Sequence, residues 1–136
     1  MMKGSVESVD LSVLGDERGS LVAIEGNKDL PFDIKRIYYI FNTKSDVARG
    51  FHAHIKLKQM AICISGSCSF LVDDGVTRKT LELKSPEKGL LIEGLVWREM
   101  FDFSEDCVLL LLASEYYDES DYIHDYEVFK VESQKS

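Results

Sequence analysis

Apolar and polar residues follow one another in short blocks along most of this chain, with little helical spacing. The strand-like blocks are Val6–Leu14, Ser20–Glu25, Lys35–Asn42, Arg49–His54, Gln59–Ile64, Cys68–Val72, Thr77–Leu83, Leu90–Ile92, Arg98–Phe103 and Val108–Ala113. Turn signals separate them. Asp73-Asp74-Gly75 suits a hairpin because glycine accepts positive φ, and Ser65-Gly66-Ser67 is a second turn. Short strands with regular turns predict an all-β sandwich, jelly roll or small barrel. Tyr122, Tyr126 and Phe129 fall at i, i+4 and i+7, the spacing of one helical face, so a short C-terminal helix should close the chain. Several strands are apolar on both faces. Met60, Ile62 and Ile64 share one face of a strand whose other face carries Ala61 and Cys63, and Leu109–Leu112 is apolar throughout. The outer face of a small antiparallel sheet ordinarily meets water. Two-sided apolarity therefore predicts a cover, and a second copy of the chain is the simplest one: a homodimer.

The length of 136 residues suits one domain spanning 1–136 with one core. A net charge of -8 argues against nucleic acid or an anionic membrane as partner, while a locally basic pocket can still take a small anion. Cys63, Cys68 and Cys107 are an odd set without a paired framework, which points to a reduced, cytoplasmic protein. The N-terminus lacks the apolar stretch of a signal peptide, and the longest apolar run, Cys107 to Ala113, is too short to span a bilayer. No phosphate-binding loop, dinucleotide fingerprint or nucleophile elbow is present.

The chemistry concentrates in Arg49-Gly50-Phe51-His52-Ala53-His54, followed by Gln59 and Gly66. Residues i and i+2 of a strand point to one face, so both imidazoles should enter one cavity. Such a pair is two metal ligands, an acid/base pair, or simply two hydrogen-bonded core residues. The spacing His52-x-His54-x4-Gln59-x6-Gly66 follows that of a cupin metal motif, with an amide in place of the carboxylate. Where the second motif should supply a histidine, the chain reads Leu95-Val96-Trp97-Arg98-Glu99. Two histidines and a neutral glutamine beside an arginine make a poor cation site, so neither metal nor cofactor is expected. Neutral histidines are instead ready for proton transfer. Arg49, Arg98, Arg36 and Arg18 are candidates for phosphate or sugar oxygens, whereas Lys56 and Lys58 read as surface charges. Of Tyr38 and Tyr39 one should face the core and the other a ligand. Trp97 is a stacking platform or a core residue. His124 falls in the expected terminal helix, outside the motif.

Taken together, Asp16-x-Arg18-Gly19-x-Leu21, Lys35-Arg36-Ile37-Tyr38-Tyr39-Ile40, Arg49-Gly50-x-His52-Ala53-His54, Gln59, Gly66-Ser67-Cys68, Gly89-Leu90-Leu91-Ile92 with Trp97, and Tyr117-Asp118-x-x-Asp121-Tyr122 resemble the dTDP-4-keto-6-deoxy-D-glucose 3,4-ketoisomerases of the cupin superfamily. The resemblance covers nearly the whole chain. It implies a cupin jelly roll (double-stranded β-helix) with a short C-terminal helix, and a homodimer that exchanges N-terminal strands. It also implies metal-independent movement of a ketone from C4 to C3 of a dTDP-linked 4-keto-6-deoxy sugar, on the way to 3-amino-3,6-dideoxy sugars. His52 would be the base at C3, His54 its partner and Tyr38 a relay or enediolate stabiliser. Arg49, with Arg18, Arg36 or Arg98, would hold the pyrophosphate or sugar oxygens, and Gln59 would orient a histidine or the sugar. The rival readings are a nucleotide-sugar 3,5-epimerase, a metal-dependent cupin enzyme and a non-catalytic sugar-binding cupin.

Overall fold

A computed structural model describes residues 3–135. Two five-stranded antiparallel sheets face one another. The first has the order β1 (Ser5–Asp10), β9 (Lys88–Glu93), β6 (Gln59–Ser65), β11 (Val108–Ala113), β4 (Arg36–Ile40). The second has the order β12 (Tyr122–Ile123), β5 (Arg49–His54), β10 (Trp97–Phe101), β7 (Cys68–Asp73), β8 (Arg78–Leu83). A separate hairpin, β2 (Val13–Asp16) with β3 (Gly19–Val22), forms an N-terminal arm. The chain closes on a helix, α1 (Tyr126–Ser133), capped by Asp125, whose carboxylate accepts from the backbone N–H groups of Glu127 and Val128.

The main core fills the space between the sheets. Ala61, Cys63, Leu90, Ile92, Leu109 and Leu111 meet Phe70, Val72, Met100 and Phe103 there. The period of two that makes these positions face inward puts Met60, Ile62, Leu91 and Leu112 on the outer face of the first sheet. Part of that face is covered from within the chain. Leu30 and Phe32, in the crossing between β3 and β4, pack over it within the same chain. The remaining cover is missing around Ile64, and the arm residues Leu14 and Leu21 are also exposed.

Three expectations change at their ends. Val6–Leu14 is two strands, because the chain leaves the sheet at Leu11, whose N–H donates to the Glu87 carbonyl at 2.8 Å. The block from Ser20 stops as a strand at Val22. Tyr122 is not on the helix: it pairs with His54 in β12, and α1 begins only at Tyr126. His124 accordingly lies between β12 and α1 instead of in the helix.

Candidate active site

The pleat of β5 does what alternation requires. His52 and His54 share the inner face, with ring centroids 4.8 Å apart and planes nearly perpendicular. Arg98 lies directly opposite His52 on β10 and projects to the same face. Gln59, first residue of β6, and Tyr38, in the middle of β4, approach from the other sheet. The Arg98 Nη1 donates to Gln59 Oε1, and Nη2 to the Val96 carbonyl at 2.9 Å. Gln59 Nε2 in turn donates to the Tyr38 hydroxyl at 3.4 Å. Arg36 lies over the Tyr38 ring, its Cζ 4.9 Å from the centroid, with Nε and Nη2 buried and unpartnered.

The floor of this cavity is set by Asp121. Its Oδ1 accepts from the Lys56 N–H at 2.7 Å, and its Oδ2 from the Leu57 N–H at 3.2 Å and from His54 Nδ1 at 3.3 Å. A carboxylate already holding two donors accepts the proton on Nδ1, which assigns His54 the Nδ1–H tautomer. His54 Nε2 is thereby left as a bare acceptor, and it is buried without a partner. Tyr122, 4.3 Å from the His54 ring, and His124, stacked flat on Tyr122 at 5.4 Å, complete the wall. His124 Nε2 meets Glu119 Oε1 at 2.8 Å near the exposed rim.

Burial and charge act together on the pair. Desolvation, then the positive charge of Arg98, lowers the His52 pKa from 6.5 to about 4 and drives that of His54 further below the usual range. The His54–Asp121 contact is therefore a hydrogen bond from a neutral imidazole to the carboxylate, not an ion pair. Burial pushes the Tyr38 phenol above its ordinary value, with Arg98 opposing. Burial brings Arg98 down to about 10, so its guanidinium stays charged near neutrality. The unfolded chain takes up protons on these histidines near pH 6.5, whereas folded His52 refuses one until about pH 4. Stability should then fall as pH drops through that window, by about 3 kcal/mol from His52 alone. Urea midpoints for the wild type and His52→Asn test this, and the variant should show a shallower acid decline. Identical declines would remove His52 from the account.

The donors do not fit a metal. Gln59 Oε1 is engaged by Arg98, and a fixed cation stands where a fourth ligand is needed. Prolonged chelation should leave turnover unchanged. A stoichiometric metal that restores activity to a chelated sample would overturn this.

The four arginines proposed for binding part company. Arg36 and Arg98 join the cavity. Arg49 does not: it opens β5, three residues before His52 and beyond a bulge at Gly50–Phe51, both at positive φ, and it lines a separate groove with Phe41, Val47 and Phe103. Arg18 lies at the tip of the arm, paired with Asp16 and almost fully exposed. Trp97 also lies elsewhere. Adjacent to Arg98, it points to the opposite face, where it packs edge-on against Tyr126 and donates to Glu99 Oε2 at 2.9 Å. Sequence reasoning passed over Asp121, Tyr122 and His124 as site residues. The Tyr117-Asp118-x-x-Asp121-Tyr122 tail hinted at the first two, and nothing marked His124, since a two-residue strand has no period to read.

Two facing sheets that hold a histidine pair between them, at the spacing of a cupin metal motif, define a cupin-type protein. A family model described as "FdtA: WxcM-like, C-terminal" matches residues 4–134. The chain belongs to that family. It is 57% identical over 115 residues, 85% of this chain and 83% of the relative, to the TDP-4-oxo-6-deoxy-alpha-D-glucose-3,4-oxoisomerase of Aneurinibacillus thermoaerophilus. The crystal structure of a 3,4-ketoisomerase from Helicobacter canadensis superposes with a TM-score of 0.92 at 44% identity, covering 96% of this chain and 98% of that one. So does the 3,4-ketoisomerase QdtA of Thermoanaerobacterium thermosaccharolyticum, a histidine-to-asparagine mutant in complex with TDP-4-keto-6-deoxyglucose. There the TM-score is 0.92 at 48% identity, over 95% of this chain and 94% of that one.

Proposed function

We propose that this protein is a 3,4-ketoisomerase that converts dTDP-4-keto-6-deoxyglucose to the dTDP-3-keto-6-deoxyhexose. The observation that carries the reading is the neutral His52–His54 pair, with the His54 Nε2 lone pair buried and unpartnered. It occurs in a chain 57% identical to an oxoisomerase of TDP-4-oxo-6-deoxyglucose.

The reaction moves two protons and no net electrons. A base takes the C3 proton, made acidic by the C4 carbonyl, and the electron pair becomes the C3–C4 double bond of an enediolate. O4 gains a proton, O3 loses one, and C4 is reprotonated, which leaves the ketone at C3. His52 serves as base at C3 and His54 as its partner, each neutral and able to accept. Tyr38 relays the hydroxyl proton. The buried charge of Arg98 and the unpartnered donors of Arg36 favour the enediolate electrostatically. Incubation with dTDP-4-keto-6-deoxyglucose in D2O, followed by NMR, tests the reading. A 3-keto product with solvent deuterium at C4 is expected. Deuterium at C3 or C5 with the ketone still at C4 would make the protein an epimerase instead.

The assembly proposed is a homodimer. An apolar groove lies between the arm and the first sheet, lined by Val13, Leu21, Ile24, Ile62, Ile64 and Leu110. The arm's exposed Leu14 needs a partner surface too. Exchange of arms would carry Arg18 away from its own chain towards the second subunit. Sedimentation at micromolar concentration should give a dimer, and a clean 15.5 kDa monomer would contradict it. Three unpaired cysteines support work in the reducing cytoplasm, and among the described residues no helix is long and apolar enough to cross a membrane. The product serves 3-amino-3,6-dideoxy sugar synthesis for surface glycans.

A further inference from the structure

The three cysteines come from separate parts of the sequence: Cys63 from β6, Cys68 from the start of β7 and Cys107 from the turn before β11. Their sulfur atoms all lie within 4.8 Å of one another, and Cys63 Sγ is 3.7 Å from Cys107 Sγ. Thiolates about 2.3 Å from a shared ion stand about 3.8 Å apart in tetrahedral geometry and about 4.0 Å apart in trigonal geometry. The cluster thus has the spacing of a three-thiolate site before any ion is added. A fourth donor is at hand in the Ser65 carbonyl oxygen, 3.1 Å from Cys63 Sγ. Above it the chain changes from apolar to polar. Ser65 Oγ donates to the Asp106 carbonyl, and Ser104 Oγ accepts from the Ser67 N–H and donates to Asp106 Oδ1, each at 2.8 Å. The sulfurs are therefore buried yet only one polar turn from solvent.

We propose that Cys63, Cys68 and Cys107 bind a thiophilic divalent cation, zinc being the ordinary case, as a structural site that ties three strands at one end of the sandwich. Soft thiolates select such ions over magnesium or calcium. Binding releases three thiol protons, and three thiolates with one divalent ion leave a single net negative charge, easier to bury than three thiolates alone. The site is independent of catalysis. Cys63 is four residues along β6 from Gln59, about 13 Å from the histidine cavity at strand rise.

The probe is cadmium, added to the reduced, metal-free full chain, with the ultraviolet thiolate-to-metal charge-transfer band as readout. One equivalent per chain should saturate the band, excess zinc should displace it, and Cys68→Ala should abolish it. Turnover should not change. No band in the folded wild type, or an undiminished band in Cys68→Ala, would overturn the site. Because that variant could fail to fold, the wild type supplies a second measurement. Zinc at ten times its Kd should slow maleimide labelling of all three cysteines by about ten-fold. Unchanged labelling would mean that the three thiols only pack as small apolar groups.

Discussion

His52→Asn and His54→Asn each lower kcat by about two orders of magnitude or more, the usual worth of a positioned acid or base. Asparagine keeps a polar side chain of smaller size but cannot take a proton. The two variants should differ in what else they disturb. His52 is only partly buried, so its loss should leave the fold and sugar-nucleotide affinity nearly intact. His54 is fully buried and bound to Asp121, so its variant should also lose some stability. Steady-state kinetics beside calorimetric binding of dTDP separates these effects. Wild-type turnover in both variants would remove the pair from the mechanism.

Asp121→Asn is expected to reduce kcat by about 10- to 100-fold, the range seen when the group orienting a functional histidine is lost. The carboxylate holds two backbone N–H groups and the His54 Nδ1–H. An amide must turn an NH2 towards one of these donors, at a cost of about 1–3 kcal/mol for the donor left unpaired. Asp121 acts through His54, whose Nδ1 it holds, so its expected role is to position that imidazole. A merely structural role would lower stability and leave the imidazole unchanged. A positioning role predicts that 15N NMR shows the His54 proton shifting from Nδ1 towards Nε2, with kcat lost and dTDP affinity kept. An unaltered tautomer together with unaltered kcat would end the assignment.

Local pattern carried most of the fold into view. Strands β5 and β11 run over the residues expected of them: β11 is an unbroken apolar block, mostly buried, and β5 is packed at its His52–His54 end. The histidine pair was legible because period two leaves no other arrangement. What escaped was set by contacts remote in sequence. Asp121 reaches His54 across 67 positions, and β12 exists because β5 offers it a partner. Trp97 and Arg98 are neighbours in a segment that reads as one motif, yet the pleat sends one under α1 and the other into the cavity. Arg49 stands three residues before His52, beyond a bulge that no periodicity announces. The outer face of the first sheet reads as apolar in the sequence, but the residues that pack over part of it, Leu30 and Phe32, lie in an irregular crossing that no period marks.

Arg98 has one consequence for how the protein lives among metals. A coordinated ion is held by an equilibrium, so it can be stripped, exchanged for a stronger competitor or left unfilled in times of scarcity. A guanidinium joined covalently to β10 and hydrogen-bonded to Gln59 and Val96 has no dissociation constant. The positive charge beside the histidine pair is delivered by translation itself, in fixed stoichiometry, and mismetallation has nothing to act on among these groups.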